Sequence, residues 1–398
     1  MPSSTLGAPA PKKPSPYTAN WPDDDHPGGS NVMRVLLNAL QAANRSGTGT
    51  YVTHLARCLP EAAPNLELFL AWPKDAPRPP HAADSRVTYL PRPCAGLGRS
   101  LYEQWSLRNE ARRLRVDRVH YPSTIGPLLA TSSLVLTVHD LAYLIEPTWF
   151  PAGRLAYLRA VVPRAVRQAR RIIAVSHATA QDLHERLRVP LDRIDVIHEG
   201  VDMQRFHETS PQQHAAARAK YRLPERYVLF LGTLEPRKNL VRLIDAWSAI
   251  AGECPYDLAL AGRDGWKCQP IHDAANRSPH APRIHRPGFI APEDMAAVIG
   301  GAIAVAFPSL YEGFGLPVIE AMACGVPVVT SNLSSLPEIA GDAVVLVDPR
   351  DHDALAHALA QVTADVALRD DLRRKGLARA AAFTWLRAAQ QTAQVYSR

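Results

Sequence analysis

The stretch FPSLYEGFGLPVIEAMACGVPVVTS, residues 307–331, carries the first chemical signal. Glu312 and Glu320 are separated by seven residues, Gly-Phe-Gly-Leu-Pro among them. Gly313 and Gly315 let the backbone come close to a ligand. Pro317 suits a first helical turn, where its missing N–H would have no partner anyway. The amides of Phe314, Gly315 and Leu316 thereby make an anion-accepting helix start. Glu320 falls about one turn inside that helix and Glu312 lies before it. The two carboxylates therefore face different parts of one elongated ligand rather than a shared metal or a shared proton.

Two more polar groups sit where apolar runs end. Arg237 and Lys238, in GTLEPRKN, follow the run at 227–231 and precede a helical pattern over 239–251. His139 and Asp140 close SLVLTVHD. In open α/β sheets ligands bind outside the carboxyl ends of the strands, which is where all four would lie.

The elements that must hold these residues read as strands alternating with helices. NVMRVLLNAL followed by SGTGTYVTHLARCL is strand, glycine loop and helix, with a helical period through Tyr51, Leu55 and Leu59. Further apolar runs at LELFLAW, RVTYL, RVHYPS, SLVLTVHD, RRIIAVS and IDVIHEG are separated by helical stretches such as 99–115, 153–170 and 178–187. The chain turns polar near 206–225 and then repeats the plan with YVLFLG, YDLALAG, RIHRPGFI, AIAVAFPS, VPVVTS and AVVLVDP. The end of the chain predicts two more helices. Runs rich in Val, Ile, Leu and Ala suit parallel strands covered on both faces. The fold class is α/β, with two doubly wound Rossmann-like domains facing a central cleft.

Composition sets outer limits. With 398 residues the chain exceeds what one core usually supports. At 46% hydrophobic and 21% charged it reads as soluble, and its apolar runs fall short of the about eighteen residues of a membrane span. The five cysteines are odd in number and lack C-x-x-C spacing, so they predict reduced thiols rather than a disulfide framework or a zinc ribbon. A formal charge of +7 favours anionic partners without choosing among nucleotides, phospholipid surfaces and nucleic acid. Residues 1–31 read as a disordered, Pro-rich tail rather than a secretory signal. The stretch 153–171 carries six arginines and no acid, interleaved with Leu155, Leu158, Val161, Val162 and Val166. It reads either as a surface for anionic lipid headgroups or as the solvated side of a core-packing helix.

The glutamate pair with its glycine-proline spacer, together with FLGTLEPRKNLVRLIDAW, LALAGRDGW, VLTVHDLAYL, IIAVSHATAQDL and IDVIHEGVD, placed along the chain in that family's usual order, resembles the retaining GT-B glycosyltransferases of the family 4, group 1 type. The resemblance covers roughly residues 32–385, and GTLEPRKNL with VHDL is similar in style to bacterial mannosyltransferases of surface-polysaccharide synthesis. It implies an acceptor-side domain over 32–205, a linker over 206–225, a nucleotide-sugar-binding domain over 226–385, and a C-terminal helix at 386–398 able to pack back on the first domain.

The resemblance also implies roles. Glu320 would accept hydrogen bonds from ribose hydroxyls and Glu312 would contact the donor sugar, with Phe314, Gly315 and Leu316 at the helix start. Lys238 and Arg237 would face the diphosphate, and His139 would position the sugar by a hydrogen bond. Gly49 with Gly47 would let the backbone approach the phosphates or the acceptor, a plain tight turn being the other reading. Many relatives carry Gly-Arg where this chain has Gly232-Thr233, so one cation common in the family is missing. The implied mechanism is front-face transfer with retention, in which the leaving phosphate oxygen helps to take the acceptor's proton. No metal and no cofactor are required. The Asp351-His352-Asp353 triplet is read as a helix cap led by Asp351, not as a metal dyad.

The expected function is transfer of a hexose, first mannose from GDP-mannose, to a hydroxyl of a glycan, lipid-linked, in polysaccharide biosynthesis. UDP-glucose, UDP-N-acetylhexosamine and GDP-rhamnose are alternative donors. The expected partners are that donor, the glycan acceptor and an anionic membrane surface through 153–171, with no nucleic acid. The expected location is cytoplasmic, peripheral on the inner membrane face. The rival readings are a GT-B-fold sugar-nucleotide epimerase and a catalytically inactive basic binding protein.

Overall fold

Apolar runs buried on both faces leave parallel pairing as their natural arrangement, and two all-parallel sheets result. The computed structural model describes residues 32–44, 46–77, 84–129 and 133–398. The tail at 1–31 lies outside the described residues.

The first sheet contains β1 (Met33–Asn38), β2 (Leu66–Pro73), β3 (Val87–Arg92), β4 (Arg118–Tyr121), β5 (Leu134–Val138), β6 (Arg171–Ala174) and β7 (Ile194–Val196). Their order is β3-β2-β1-β4-β5-β6-β7. The second sheet contains β8 (Tyr227–Leu231), β9 (Asp257–Ala261), β10 (Ile284–Gly288), β11 (Ala304–Phe307), β12 (Val328–Ser331) and β13 (Val345–Val347), in the order β10-β9-β8-β11-β12-β13. The order reverses direction between β1 and β4 and again between β8 and β11. A doubly wound sheet opens its crevice at such a reversal, beyond the carboxyl ends of the strands. All five residues of β8 are buried, and Phe230 stacks on Phe307 of β11 at 5.8 Å, so the strand ends that lead to the site are fixed by a dry core.

The stretch 206–225, expected as a linker, contains an eleven-residue helix, Pro211–Tyr221. Ser210 caps it and Gln213 closes a reciprocal capping box, with Pro211 in the first turn. The helix reads as polar because Ala217 is its one fully buried side chain. The 351–353 triplet is a helix start, with Asp351 accepting from the Ala354 amide at 3.0 Å. The five cysteines are free, Cys254 and Cys324 being buried and the others half-buried. Among the described residues no helix is long and apolar enough to cross a membrane.

The last helix, Trp385–Ser397, returns to the first sheet's half of the chain. Trp385 is buried, stacks on His54 at 4.9 Å and meets the Tyr51 ring at 6.0 Å; both partners lie on the helix Gly47–Ala62. Tyr396 bonds the buried His120 at 2.7 Å. The chain therefore crosses between its halves twice, and the second crossing is held by aromatic packing. Trp385→Ala should lower stability by about 3–5 kcal/mol. Chemical denaturation measures this, and an unchanged midpoint would show that the terminal helix is not part of the cooperative fold.

Candidate functional site

Carboxyl ends of strands from both sheets converge on one cleft. The first sheet supplies His139 just after β5 and Glu199 after β7; the second supplies Arg237 and Lys238 after β8, and Glu312 after β11.

In the second half, Pro236–Lys238 form a short 3-10 turn, and Asn239 adopts φ +60° before the helix Leu240–Ile250. This turn aims two cations at one carboxylate. Lys238 Nζ donates to Glu312 Oε1 at 2.6 Å, and the Arg237 guanidinium donates to Glu312 Oε2 at 2.6 Å and to the Tyr311 carbonyl at 2.8 Å. Glu235 takes the other side of Arg237 at 2.9 Å. Lys238 also lies over the Phe307 ring at 4.9 Å. Glu312 and Lys238 are each 7% exposed, so these are buried charges that must be paired.

Burial works against charge on each of the three. For Glu312 the two cations outweigh it and hold the carboxyl down at about 2. Burial and the adjacent Arg237 lower Lys238 despite Glu312, whereas Glu312, Glu235 and Asp140 more than offset burial at Arg237 and raise it. The group expected to touch the sugar and the two expected to touch the diphosphate are thus one cluster. Lysine carries three N–H donors, so the bond to Glu312 leaves others for a ligand.

Two glycines make the loop possible. Gly315 has φ +110°, a conformation that disfavours side chains, and caps the helix Leu316–Ala323. A Cβ on Gly313 would stand 1.7 Å from the His139 carbonyl oxygen, so the loop presses directly on the first half of the chain. Ser176 adds a hydrogen bond to the Gly313 carbonyl at 2.6 Å, and Tyr311 reaches across to Asp182 at 2.7 Å. Leu316 borders the same contact, because a Cβ on Gly47 would meet its Cδ1 at 3.5 Å. The Phe314 side chain is buried against His198 and Phe383, which leaves only its backbone for a ligand. At Gly49 the open space is filled by the chain itself: a Cβ there would lie 1.8 Å from the Asn44 carbonyl oxygen. Glycine at 49 is explained by that local turn, while Gly47 faces the other half.

His139 is held differently from the expected sugar contact. Its Nδ1 bonds Glu199 Oε1 at 2.9 Å and its Nε2 bonds the Pro122 carbonyl at 3.2 Å, so both ring nitrogens are engaged. Burial opposes its charge, but the bonded Glu199 carboxylate, the Pro122 carbonyl and Asp140 outweigh burial and raise its pKa. Both of its acceptors then suit an imidazolium. Glu199 is the residue that motif reading missed, although it stands in the quoted IHEG at a strand end.

Glu320, in contrast to Glu312, is part-buried and remote from the Lys238 cluster's bonds. Burial pushes its carboxyl from 4.5 to about 7, Arg205 working against the rise and Glu199 adding to it. A carboxyl with a raised folded pKa weakens the fold as pH climbs from the unfolded value through the folded one, and the penalty is complete above about 7.

Two measurements follow from this geometry. Glu320→Gln should gain stability over the wild type from about pH 5 to about pH 8, on the order of 1–3 kcal/mol at the upper end. Thermal melts across that range read it, and a gap that narrows with pH would contradict the burial account. Glu199→Gln should lower the pH at which the His139 imidazole titrates in NMR, whereas an unmoved titration would mean that Glu199 does not hold the charge.

Comparison with known proteins places this cleft in a lineage. Residues 213–379 match the family described as Glycosyl transferases group 1, and residues 45–205 match Glycosyltransferase Family 4. The O-antigen chain mannosyltransferase B of Escherichia coli is 31% identical over 365 residues, covering 88% of this chain and 96% of the relative. Among solved structures, the sucrose-phosphate synthase of Thermosynechococcus elongatus superposes with TM-score 0.71 at 23% identity, over 92% of this chain and 98% of its own. Anabaena Alr3699/HepE in complex with UDP-glucose gives 0.70 at 21% identity, over 92% and 99%. With two all-parallel sheets of GT-B form and the matched motifs along nearly its whole described length, the chain belongs to the group 1 glycosyltransferases.

Proposed function

We propose that the protein is a retaining hexosyltransferase that moves mannose from GDP-mannose to a hydroxyl of a growing glycan in surface-polysaccharide synthesis. The observation that carries this reading is the buried Lys238–Glu312–Arg237 cluster beside the glycine-capped start of the helix Leu316–Ala323. Transfer from a nucleotide sugar builds negative charge on the departing diphosphate. Cations and helix-start amides fixed in a dry setting strengthen against that charge as it grows and need no rearrangement at the moment of reaction.

The division of labour follows from position. Lys238 and Arg237 face the phosphates, Glu312 orients Lys238 and meets the donor sugar, and Glu320 accepts the ribose hydroxyls. His139, fixed by Glu199, stands against the loop 312–316 from the first half of the chain. The leaving phosphate oxygen takes the acceptor proton on the same face, so the protein positions the reactants and stabilises charge without a covalent nucleophile. The mannosyl donor is supported by the Escherichia coli relative's description as an O-antigen chain mannosyltransferase, and a nucleotide-sugar donor by the UDP-glucose complex of the Anabaena neighbour.

A lipid-linked acceptor at the cytoplasmic membrane face belongs to the same reading. In the helix Ala152–Gln168, Leu158, Val161, Val162, Ala165 and Val166 pack inward, and Arg154, Arg159, Arg164 and Arg167 are exposed. That outer side carries the charge that anionic headgroups attract.

The test is a panel of nucleotide sugars, scored by thermal stabilisation and by slow release of nucleoside diphosphate. GDP-mannose should give both. Stabilisation by a UDP-sugar alone would replace the donor, and conversion of the sugar without release of nucleoside diphosphate would point to epimerisation instead. Glu320→Ala should mainly weaken donor binding, because ribose contacts change little along the reaction. Lys238→Ala should mainly slow transfer, by about 10²–10³-fold if it faces the growing charge. Wild-type kinetics in both variants would remove this assignment.

A further inference from the structure

We propose that His177, His198 and Glu338 form a binding site for a divalent transition-metal ion, with Zn²⁺ the best chemical match, and that the bound ion ties the two halves of the chain together. The three come from different places. His177 opens the helix His177–Leu187 after β6, His198 follows β7, and Glu338 lies in the short helix Leu336–Ala340 after β12. One ligand atom from each lies within 4.8 Å of the other two. A metal with bonds of about 2.0–2.2 Å sets its ligand atoms about 3.3 Å apart. Small side-chain rotations therefore close the triangle without moving the backbone.

The geometry around the triangle favours an ion over a simple contact. His198 Nε2 already stands 2.5 Å from Glu338 Oε1, held together by the kind of hydrogen bond that a metal replaces. The Glu338 carboxylate is oriented by the His177 amide, 3.0 Å from each oxygen, and by the Ala178 amide at 3.4 Å. Such outer bonds hold a ligating carboxylate in place. Phe314 and Phe383 wall the His198 ring at 6.0 and 5.7 Å. The side chains of His198 and Glu338 keep 34% and 20% exposure, which gives an ion a way in.

Two imidazoles and one carboxylate make a borderline nitrogen and oxygen set that prefers Zn²⁺, Co²⁺ or Ni²⁺ to Mg²⁺ or Ca²⁺, and three protein ligands leave a fourth position for water. A second grouping, Asp264, Cys268 and His272, is less suited: the Arg286 guanidinium stands 3.2 Å from His272 Nδ1 and opposes a cation, and Asp264 is 60% exposed.

The histidines belong to the first sheet's side and the glutamate to the second, so the ion has to leave before the two can part at this edge. On the transferase reading above, metal binding then slows turnover by hindering donor entry and product exit. The metal site itself stands apart from that reading.

The experiment uses the full-length, chelator-treated protein titrated with Zn²⁺ and Co²⁺. One saturable site per chain is expected, with a raised Tm and the visible absorption of four-coordinate Co²⁺, and neither should be displaced by excess Mg²⁺. His177→Asn, His198→Ala and Glu338→Gln should each weaken that site at least about tenfold. Three separate substitutions keep the test decisive if one of them folds poorly. Equal Zn²⁺ stoichiometry and affinity in the wild type and the folded variants, or no saturable binding at all, overturns the proposal. Donor binding measured on the same samples separates the two readings, because loss of the metal site with intact donor binding affects only this inference.

Discussion

Burying Glu312 between Lys238 and Arg237 is the constraint on which the rest of the cleft depends. Removing one partner of a buried pair typically costs about 3–5 kcal/mol, because the other charge stays behind without compensation. The cluster therefore fixes the end of β8 against the end of β11. It also explains the shape of the loop that follows: Gly313 pressed on the His139 carbonyl and Gly315 at positive φ are what let Glu312 stay in the core while the helix start turns toward the cleft.

Counting Glu235 with Glu312 against Arg237 and Lys238 gives two negative and two positive groups, so the resting cluster is formally neutral. On the proposed reading a diphosphate arriving there would meet donors already in place and already desolvated, and Glu312 is a placeholder for charge as much as a ligand for sugar. On the facing side, Glu199 holds the His139 ring in a fixed direction by a hydrogen bond to Nδ1, as Glu312 holds the Lys238 ammonium. Glu320 lies outside both pairings, and its raised pKa comes from burial that the charge of Arg205 offsets only in part.

The alternation of strands and helices was legible because the central strands are covered on both faces, which makes each of them a plain apolar run; β8 begins and ends where its run does. The strand-end positions of His139, Lys238 and Glu312 were legible for the same reason. What could not be read was which of these groups touch. Lys238 and Glu312 are 74 residues apart, and a motif places each on its own loop without saying that the two side chains meet. Glu199 escaped because its importance lies in its bond to His139, sixty residues away. The helix Pro211–Tyr221 was hidden by its polarity, and the packing that requires glycine at 49, where a Cβ would meet the Asn44 carbonyl oxygen, is not visible in the sequence.

The most direct test of the account is a structure of the protein with an intact nucleotide sugar bound. The account predicts the diphosphate within hydrogen-bond reach of Lys238 and the amides of residues 314–316, with Glu320 on the ribose and the hexose between Glu312 and His139. A nucleotide seated elsewhere, with the Lys238–Glu312–Arg237 cluster out of reach of the phosphates, would contradict it.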